Sequence, residues 1–419
     1  MNPIPKYKTI RIKNFKSLKE VELKLSKFNV VIGSNATGKT NLLEGIHLAN
    51  QAVYPISYPP TTFQRWWGYK NAVYMMKEEL PISFFIEAEL AKYNINYEFI
   101  LTGSGGLQRF IQERLEIKNV LKIERKGNYV SLEYDEEFTK DPYVAEALNK
   151  LRNTPQHLQQ QIPEMYSILN PQAVNLVDLG IIQLSWYLQD IYTSSYKQIS
   201  VVSPIINTET GAQPLMQLIL STLLRPWIYL NVVPYFASQP VPLPSYPLLD
   251  IYGGNLPRIL FSLYQHEGKF PETVQRIIEK IFPEISLQFE FLPDGRITIK
   301  AKEQSLEFLS PNLSAGLFKI LTISTALSLK TSMLLIDELE NSLHLKSIEV
   351  LIDEFRNSDT TVIVTTHSPA VIDLCKPEEI IIAEKKGFET ILKREPNPEE
   401  LKKKLIESGV SLSEYYFYG

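Results

Sequence analysis

The chain has 419 residues, room for two or three domains, and one cysteine, Cys375, which excludes an internal disulfide or a cysteine-cluster metal site and fits a reducing compartment. Its 43 Lys and Arg against 47 Asp and Glu give a net charge of −4, so the chain is no polycation, and 44% apolar with 21% charged residues is a globular balance. The basic N-terminal stretch has no apolar core of a signal peptide and no stretch reaches the ~20 apolar residues of a membrane span, so a soluble, cytoplasmic chain without membrane contact is expected.

In chain order, residues 9–12 and 21–25 read as two strands around a polar turn, in a segment whose first 40 residues carry nine Lys/Arg against Glu20 and Glu22. Residues 28–32 form a short apolar run ending at Gly33, suited to a buried parallel strand, and Leu42, Leu43, Ile46, Leu48 and Ala49 space an amphipathic helix after Gly38. Residues 82–134 alternate apolar and polar between glycines, the pattern of an antiparallel meander. Residues 135–250 hold 12 of the 27 prolines and read as mixed helix and loop, without heptads or repeats. Helix returns from 255, followed by a hairpin around Pro293-Asp294-Gly295. Helix 315–330, strand 333–336, helix 342–356, strand 361–365 and strand 379–383 then alternate as in an α/β sheet.

Four motifs carry chemistry. Gly33-Ser34-Asn35-Ala36-Thr37-Gly38-Lys39-Thr40 fits G-x-x-x-x-G-K-[ST] between an apolar strand and a helix. Such a loop aims backbone N–H groups and a helix N-terminus at phosphates, with Lys39 reaching the β- and γ-phosphates and Thr40 ligating Mg²⁺. Asp337 and Glu338 end the apolar run 333–336, where Asp337 suits a Mg²⁺ contact and Glu338 a base for water. His367 ends a second apolar strand and could meet the γ-phosphate. Ser314, with Ala315 and Gly316, opens helix 315–330 and reads either as an anion site or as an ordinary N-cap.

Together with 11–18 (RIKNFKSL), Asn41 to Glu44, 335–344 (LIDELENSLH) and 366–369 (THSP), these motifs resemble the ABC-type ATPase heads of the RecF, SMC and OLD (overcoming-lysogenisation-defect) group. More narrowly they resemble the stand-alone AAA-family ATPases of bacteria and archaea. The resemblance implies an α/β P-loop fold with a mainly parallel sheet flanked by helices, an antiparallel β subdomain and a mostly helical, Pro-rich insert. It divides the chain into 1–134, the insert 135–250, 251–395 and a tail 396–419. It implies ATP and Mg²⁺ as ligands: Gly33 to Asn41 around the nucleotide, Thr40 and Asp337 on the metal, Glu338 on the attacking water, His367 on the γ-phosphate. Ser314 and Gly316 would serve the nucleotide of a second copy, in a head-to-tail dimer formed on ATP binding. Ala36 and Ala315 depart from residues common in the family, and Gln64 and Gln112 are both candidates for its metal-contacting glutamine. The absence of heptads sets the chain apart from long coiled-coil members, and the short stretch after Glu384 leaves no room for an appended nuclease.

Three functions are weighed: an ATP-driven switch in DNA repair or antiviral defence, with DNA and a separate nuclease or effector protein as candidate partners; the ATPase motor of a transporter; and an ATP-binding scaffold that regulates a partner nuclease. The basic N-terminal segment is the residue-level argument for DNA.

Overall fold

The computed structural model describes residues 4–53, 62–90, 93–106, 108–119, 121–126, 129–134, 227–243 and 249–418. The described residues fall into two compact units, one drawn from 1–24 and 48–225, the other from 25–47 and 226–419.

In the first unit, β1 (Lys6–Phe15), β2 (Leu18–Lys24), β4 (Ile82–Leu90), β5 (Tyr93–Thr102), β6 (Arg109–Ile117), β7 (Leu121–Lys126) and β8 (Tyr129–Tyr134) form one antiparallel sheet in the order β2-β1-β4-β5-β6-β7-β8. The meander expected over 82–134 is there, and its cause is visible in β4. Ile82, Phe84, Ile86, Ala88 and Leu90 are buried while the residues between them are only partly so. Phe99 packs 4.9 Å from Phe84 and 5.7 Å from Phe110, a cross-strand aromatic ladder. Buried Glu113 accepts the Tyr97 hydroxyl at 2.8 Å and is accounted for by that bond.

The basic N-terminal strands are less positive than their composition suggests. Arg11 meets Glu22 at 2.7 Å, Lys13 meets Glu20 at 2.7 Å and Lys8 meets Glu89 at 2.8 Å. Cross-strand pairing in β1–β2 and β1–β4 sets these opposite charges face to face.

The second unit is built on a six-stranded sheet. Its order is β17 (Glu389–Arg394), β16 (Ile380–Lys386), β3 (Phe28–Ile32), β15 (Thr361–Thr365), β14 (Met333–Ile336) and β9 (Ile228–Leu230). All neighbours are parallel except β16–β17. Strands β3, β14 and β15 are buried at every position, which is why they read as unbroken apolar runs. A smaller antiparallel sheet holds β10 (Val241–Pro242), β11 (Ile285–Phe291), β12 (Arg296–Glu303) and β13 (Leu306–Leu309), with the expected hairpin between β11 and β12. The helices of five or more residues among the described residues are α1 (Lys39–Val53), α2 (Leu256–Glu267), α3 (Glu272–Ile281), α4 (Ala315–Ser328), α5 (Leu345–Asn357), α6 (Pro369–Asp373), α7 (Pro398–Ser408) and α8 (Leu412–Tyr418). Helix α4 is buried from Leu317 to Leu327, and its sequence there carries one charge, Lys319, and no polar stripe. No described helix is long and apolar enough to cross a membrane.

Three boundaries differ from the sequence reading. Strand β9 lies inside the stretch assigned to the insert; its three residues stand between Pro226 and Pro234, too short to show a period. The stretch taken as a tail forms α7 and α8, with Leu401 and Leu412 buried and Ser413 bonded through its N–H and hydroxyl to Asp373 at 2.8 and 2.9 Å. Helix α5 starts at Leu345 rather than 342, after a loop in which Ser342 is left-handed. The helical character expected of residues 135–226 lies outside the described residues. Cys375 is buried in the core of this unit, and burial pushes its thiol up to about 12.

Candidate nucleotide site

Strands β3, β15 and β14 are adjacent and parallel, so their C-terminal ends open on one edge of the sheet. That edge is where open α/β sheets bind ligands. Gly33 to Lys39 follow β3, Asp337 and Glu338 follow β14, and Thr366 and His367 follow β15.

The loop after β3 is tightly shaped. Gly33 has φ +148°, and a Cβ there would stand 2.3 Å from the Ala383 carbonyl oxygen on β16, so no other residue fits. Gly38 has φ +100°, and Ala36, at φ +64°, takes a left-handed conformation that costs an L-residue roughly 1–2 kcal/mol. The loop is braced by Thr37, whose hydroxyl donates to Ser34 O at 2.9 Å and whose carbonyl accepts from Thr390 Oγ1 at 2.8 Å. Ser34, Asn35 and Ala36 are exposed on its crest. Lys39 Nζ folds back onto the carbonyls of Gly33 (2.8 Å) and Ser34 (3.0 Å). Burial lowers its ammonium from the ordinary lysine value, while Asp337, Glu338 and Glu340 favour its charge. A cation held at the loop's root against a row of carboxylates suits a polyphosphate.

Asp337 is buried and accepts two hydroxyls at Oδ1, from Thr365 at 2.6 Å and Thr40 at 3.3 Å. Burial raises its carboxyl above the ordinary range; the two hydrogen bonds pull the other way, and Glu338 and Glu44 push it higher. A hydroxyl and a carboxylate are the hard oxygen donors that Mg²⁺ prefers. Among the described residues no group of three or more His, Cys, Asp or Glu could hold a metal alone, so an ion here would draw its other ligands from phosphate and water.

Glu338 is exposed, with φ +49°. Its N–H donates to Thr365 Oγ1 at 2.8 Å, its carboxylate accepts from Asn341 Nδ2, and its carbonyl accepts from Lys319 Nζ at 2.7 Å. Lys319 comes from α4 and is 1% exposed; burial pushes its ammonium down to about 8 against the opposing pull of Glu340, Glu338 and Asp337. His367 is exposed, its N–H donating to Glu340 Oε1 at 2.9 Å and its Nδ1 lying 3.0 Å from the same oxygen.

Ser314 is the N-cap of α4, its Oγ accepting the Leu317 N–H at 3.2 Å, so the capping reading is realised. A Cβ on Gly316 would lie 2.8 Å from the Ser342 carbonyl oxygen, so its lack of a side chain serves a contact within this chain. Asn41 sits in the first turn of α1. Gln64, in a short 3₁₀ turn, and Gln112, on β6, both belong to the first unit. The sequence reading missed Thr365, Lys319 and Glu340 as members of this constellation. A lone charge inside an otherwise uncharged helix was the signal for Lys319.

The chain matches two families: "AAA ATPase domain" over residues 6–178, and "AAA domain, putative AbiEii toxin, Type IV TA system" over residues 230–373. No curated protein matches it. Solved structures similar to it include an Smc head domain with an extended coiled coil bound to the C-terminal domain of ScpA, from Pyrococcus furiosus. That chain has 12% identity and a TM-score of 0.43, over 97% of this chain and 99% of that one. The SMC head domain from Thermotoga maritima has 12% identity and a TM-score of 0.42, over 93% and 99%. The loop after β3 lies inside the first matched segment and the acidic pair after β14 inside the second, so both parts of the candidate site fall in stretches similar to AAA ATPase domains.

Proposed function

We propose that this chain hydrolyses ATP and works as a switch whose two states are an ATP-bound head-to-tail dimer and its opened form. The observation that carries the reading is the chain of bonds Thr40–Asp337–Thr365–Glu338. It sets a metal-type oxygen pair beside the backbone of Glu338, whose exposed carboxylate accepts one hydrogen bond, from Asn341. In this reading Gly33 to Asn41 hold the nucleotide and Lys39 neutralises its β- and γ-phosphates. Mg²⁺, held through Thr40 and Asp337, supplies charge stabilisation at the phosphates. Glu338 takes the proton of the attacking water, and His367, fixed by Glu340, meets the γ-phosphate. Ser314, exposed at the start of α4, faces the nucleotide of a second copy.

The test is Glu338→Gln. It keeps ATP binding, lowers turnover by ~10²–10⁴, and accumulates a nucleotide-bound dimer in sedimentation. A variant that hydrolyses ATP at the parent rate overturns the assignment of the base.

A role in defence is favoured over repair by the toxin–antitoxin description of the family matched at 230–373. The DNA reading through the N-terminal strands loses support from the pairing of Lys8, Arg11 and Lys13 with acids. DNA binding that weakens steeply with salt and is abolished by changing Lys13, Lys16 and Lys19 to Glu would restore it.

A further inference from the structure

Two contacts tie the first two turns of α4 to the segment carrying the acidic pair. Gly316 lies so close to the Ser342 carbonyl that no side chain fits between them, and the Lys319 ammonium donates to the Glu338 carbonyl at 2.7 Å. Both anchored residues are left-handed and not glycine: Glu338 at φ +49° and Ser342 at φ +62°. Strained backbone persists only where its surroundings over-determine it. A charged donor on the carbonyl of a left-handed residue is such a determinant, because that carbonyl must keep pointing at the lysine. The same segment holds Glu340, whose Oε1 accepts the His367 N–H at 2.9 Å and which is foremost among the charges that favour the Lys319 ammonium. A lysine 1% exposed, inside a helix otherwise uncharged, has its cationic end aimed at this one segment. Burying it uncompensated would be expensive.

From this we infer that Lys319 is a positioning residue: it holds the 338–342 segment in register with α4, so that the carboxylate of Glu338 and the imidazole of His367 take up their working places only when α4 is in place. The inference rests on the ATP-hydrolysis reading above for its consequence, though not for its geometry. Since Ser314 caps the same helix, whatever a second copy does to the start of α4 reaches Glu338 and His367 through Lys319 and Gly316. Assembly and hydrolysis are thereby coupled inside one chain.

The experiment compares Lys319→Met, which keeps length and apolar bulk but loses the donor, with Lys319→Arg, which keeps a donor. Amide hydrogen exchange over 338–343 in nucleotide-free protein reads the geometry directly, and ATP affinity and turnover read its consequence. Lys319→Met is expected to exchange these amides about tenfold faster, to bind ATP as the parent does, and to lose turnover by ~10–10²; Lys319→Arg recovers most of the protection and turnover. Unchanged exchange, or turnover equal to the parent's, overturns the inference, as does loss of ATP binding and turnover together in both variants. If Lys319→Met does not fold, Lys319→Gln, shorter and uncharged, takes its place, and unaltered protection of 338–343 is then the overturning result. Should the parent prove not to hydrolyse ATP, the hydrolysis reading fails by itself. The exchange comparison in nucleotide-free protein still decides whether Lys319 positions this segment.

Discussion

The Thr365 hydroxyl reaches Asp337 Oδ1 at 2.6 Å, from a strand end that the sequence presents as one more β-branched residue. Its oxygen also accepts the Glu338 N–H at 2.8 Å, so one hydroxyl bridges both acids. Thr365→Val keeps the shape and removes both bonds. It is expected to cost about 2 kcal/mol of stability, the range for a lost hydrogen bond to a charged group, and to raise the Asp337 carboxyl further. Thr365→Ser restores both bonds and most of the loss. Denaturant titration and turnover of the pair check this.

Asp337 itself lies under electrostatic stress. Its folded-state pKa is raised, so ionised Asp337 opposes folding. The sign follows: the penalty is absent below the ordinary value of 3.8, grows as pH climbs toward the folded-state value, and is complete above it. Asp337→Asn is therefore expected to melt higher than the parent at neutral pH, with the gain shrinking toward pH 4, while losing Mg²⁺-dependent turnover. Thermal denaturation across pH reads the first effect. A gain that stays constant with pH refutes the electrostatic cause.

The loop after β3 offers a paired test of backbone geometry. Gly33→Ala drives a Cβ to 2.3 Å from the Ala383 carbonyl and is expected to abolish nucleotide binding. Ala36→Gly removes a left-handed alanine and is expected to leave binding intact and stability unchanged or higher by up to ~1 kcal/mol, since glycine's added unfolded-state freedom offsets part of the relief. Calorimetry with ATP and Mg²⁺ separates the two.

At the start of α4, Ser314→Ala is expected to cost about 1 kcal/mol through the lost cap and to leave dimerisation nearly intact. Under the proposed head-to-tail dimer, Ser314→Arg is expected to keep ATP binding but to block dimer formation and turnover, because a bulky cation would stand where the second copy would approach. Mixing Ser314→Arg with Lys39→Ala chains, giving hybrid dimers with one intact composite site, is expected to recover part of the activity. A Ser314→Arg chain that dimerises and turns over like the parent refutes the composite site.

The sequence made the buried strands beneath the candidate nucleotide site legible because burial on both faces leaves unbroken apolar runs. Strands 28–32, 333–336 and 361–365 stand at those limits, and each motif lies where its strand ends. It concealed what depends on distant partners. Thr365 and Lys319 matter through atoms 28 and 19 residues away, which no local period records. Strand β9 is three residues among prolines, and α7 is mostly charged, so neither announces a place in the core although Leu230 and Leu401 occupy one. The pairing within the basic N-terminal strands was equally hidden. Composition counts charges singly, whereas the pairing of β1 with β2 and β4 sets an acid beside Arg11, Lys13 and Lys8.

Cys375 has a practical consequence. A thiol whose pKa is pushed up to about 12 is almost wholly protonated near neutrality and, shielded by the core, is a poor nucleophile toward maleimides and iodoacetamides. As the chain's one cysteine, it leaves the native background dark. A cysteine introduced at an exposed position such as Lys346 would take a fluorophore without first stripping the wild-type residue, and the proposed pairing of two copies could then be tested by energy transfer in an otherwise unaltered protein.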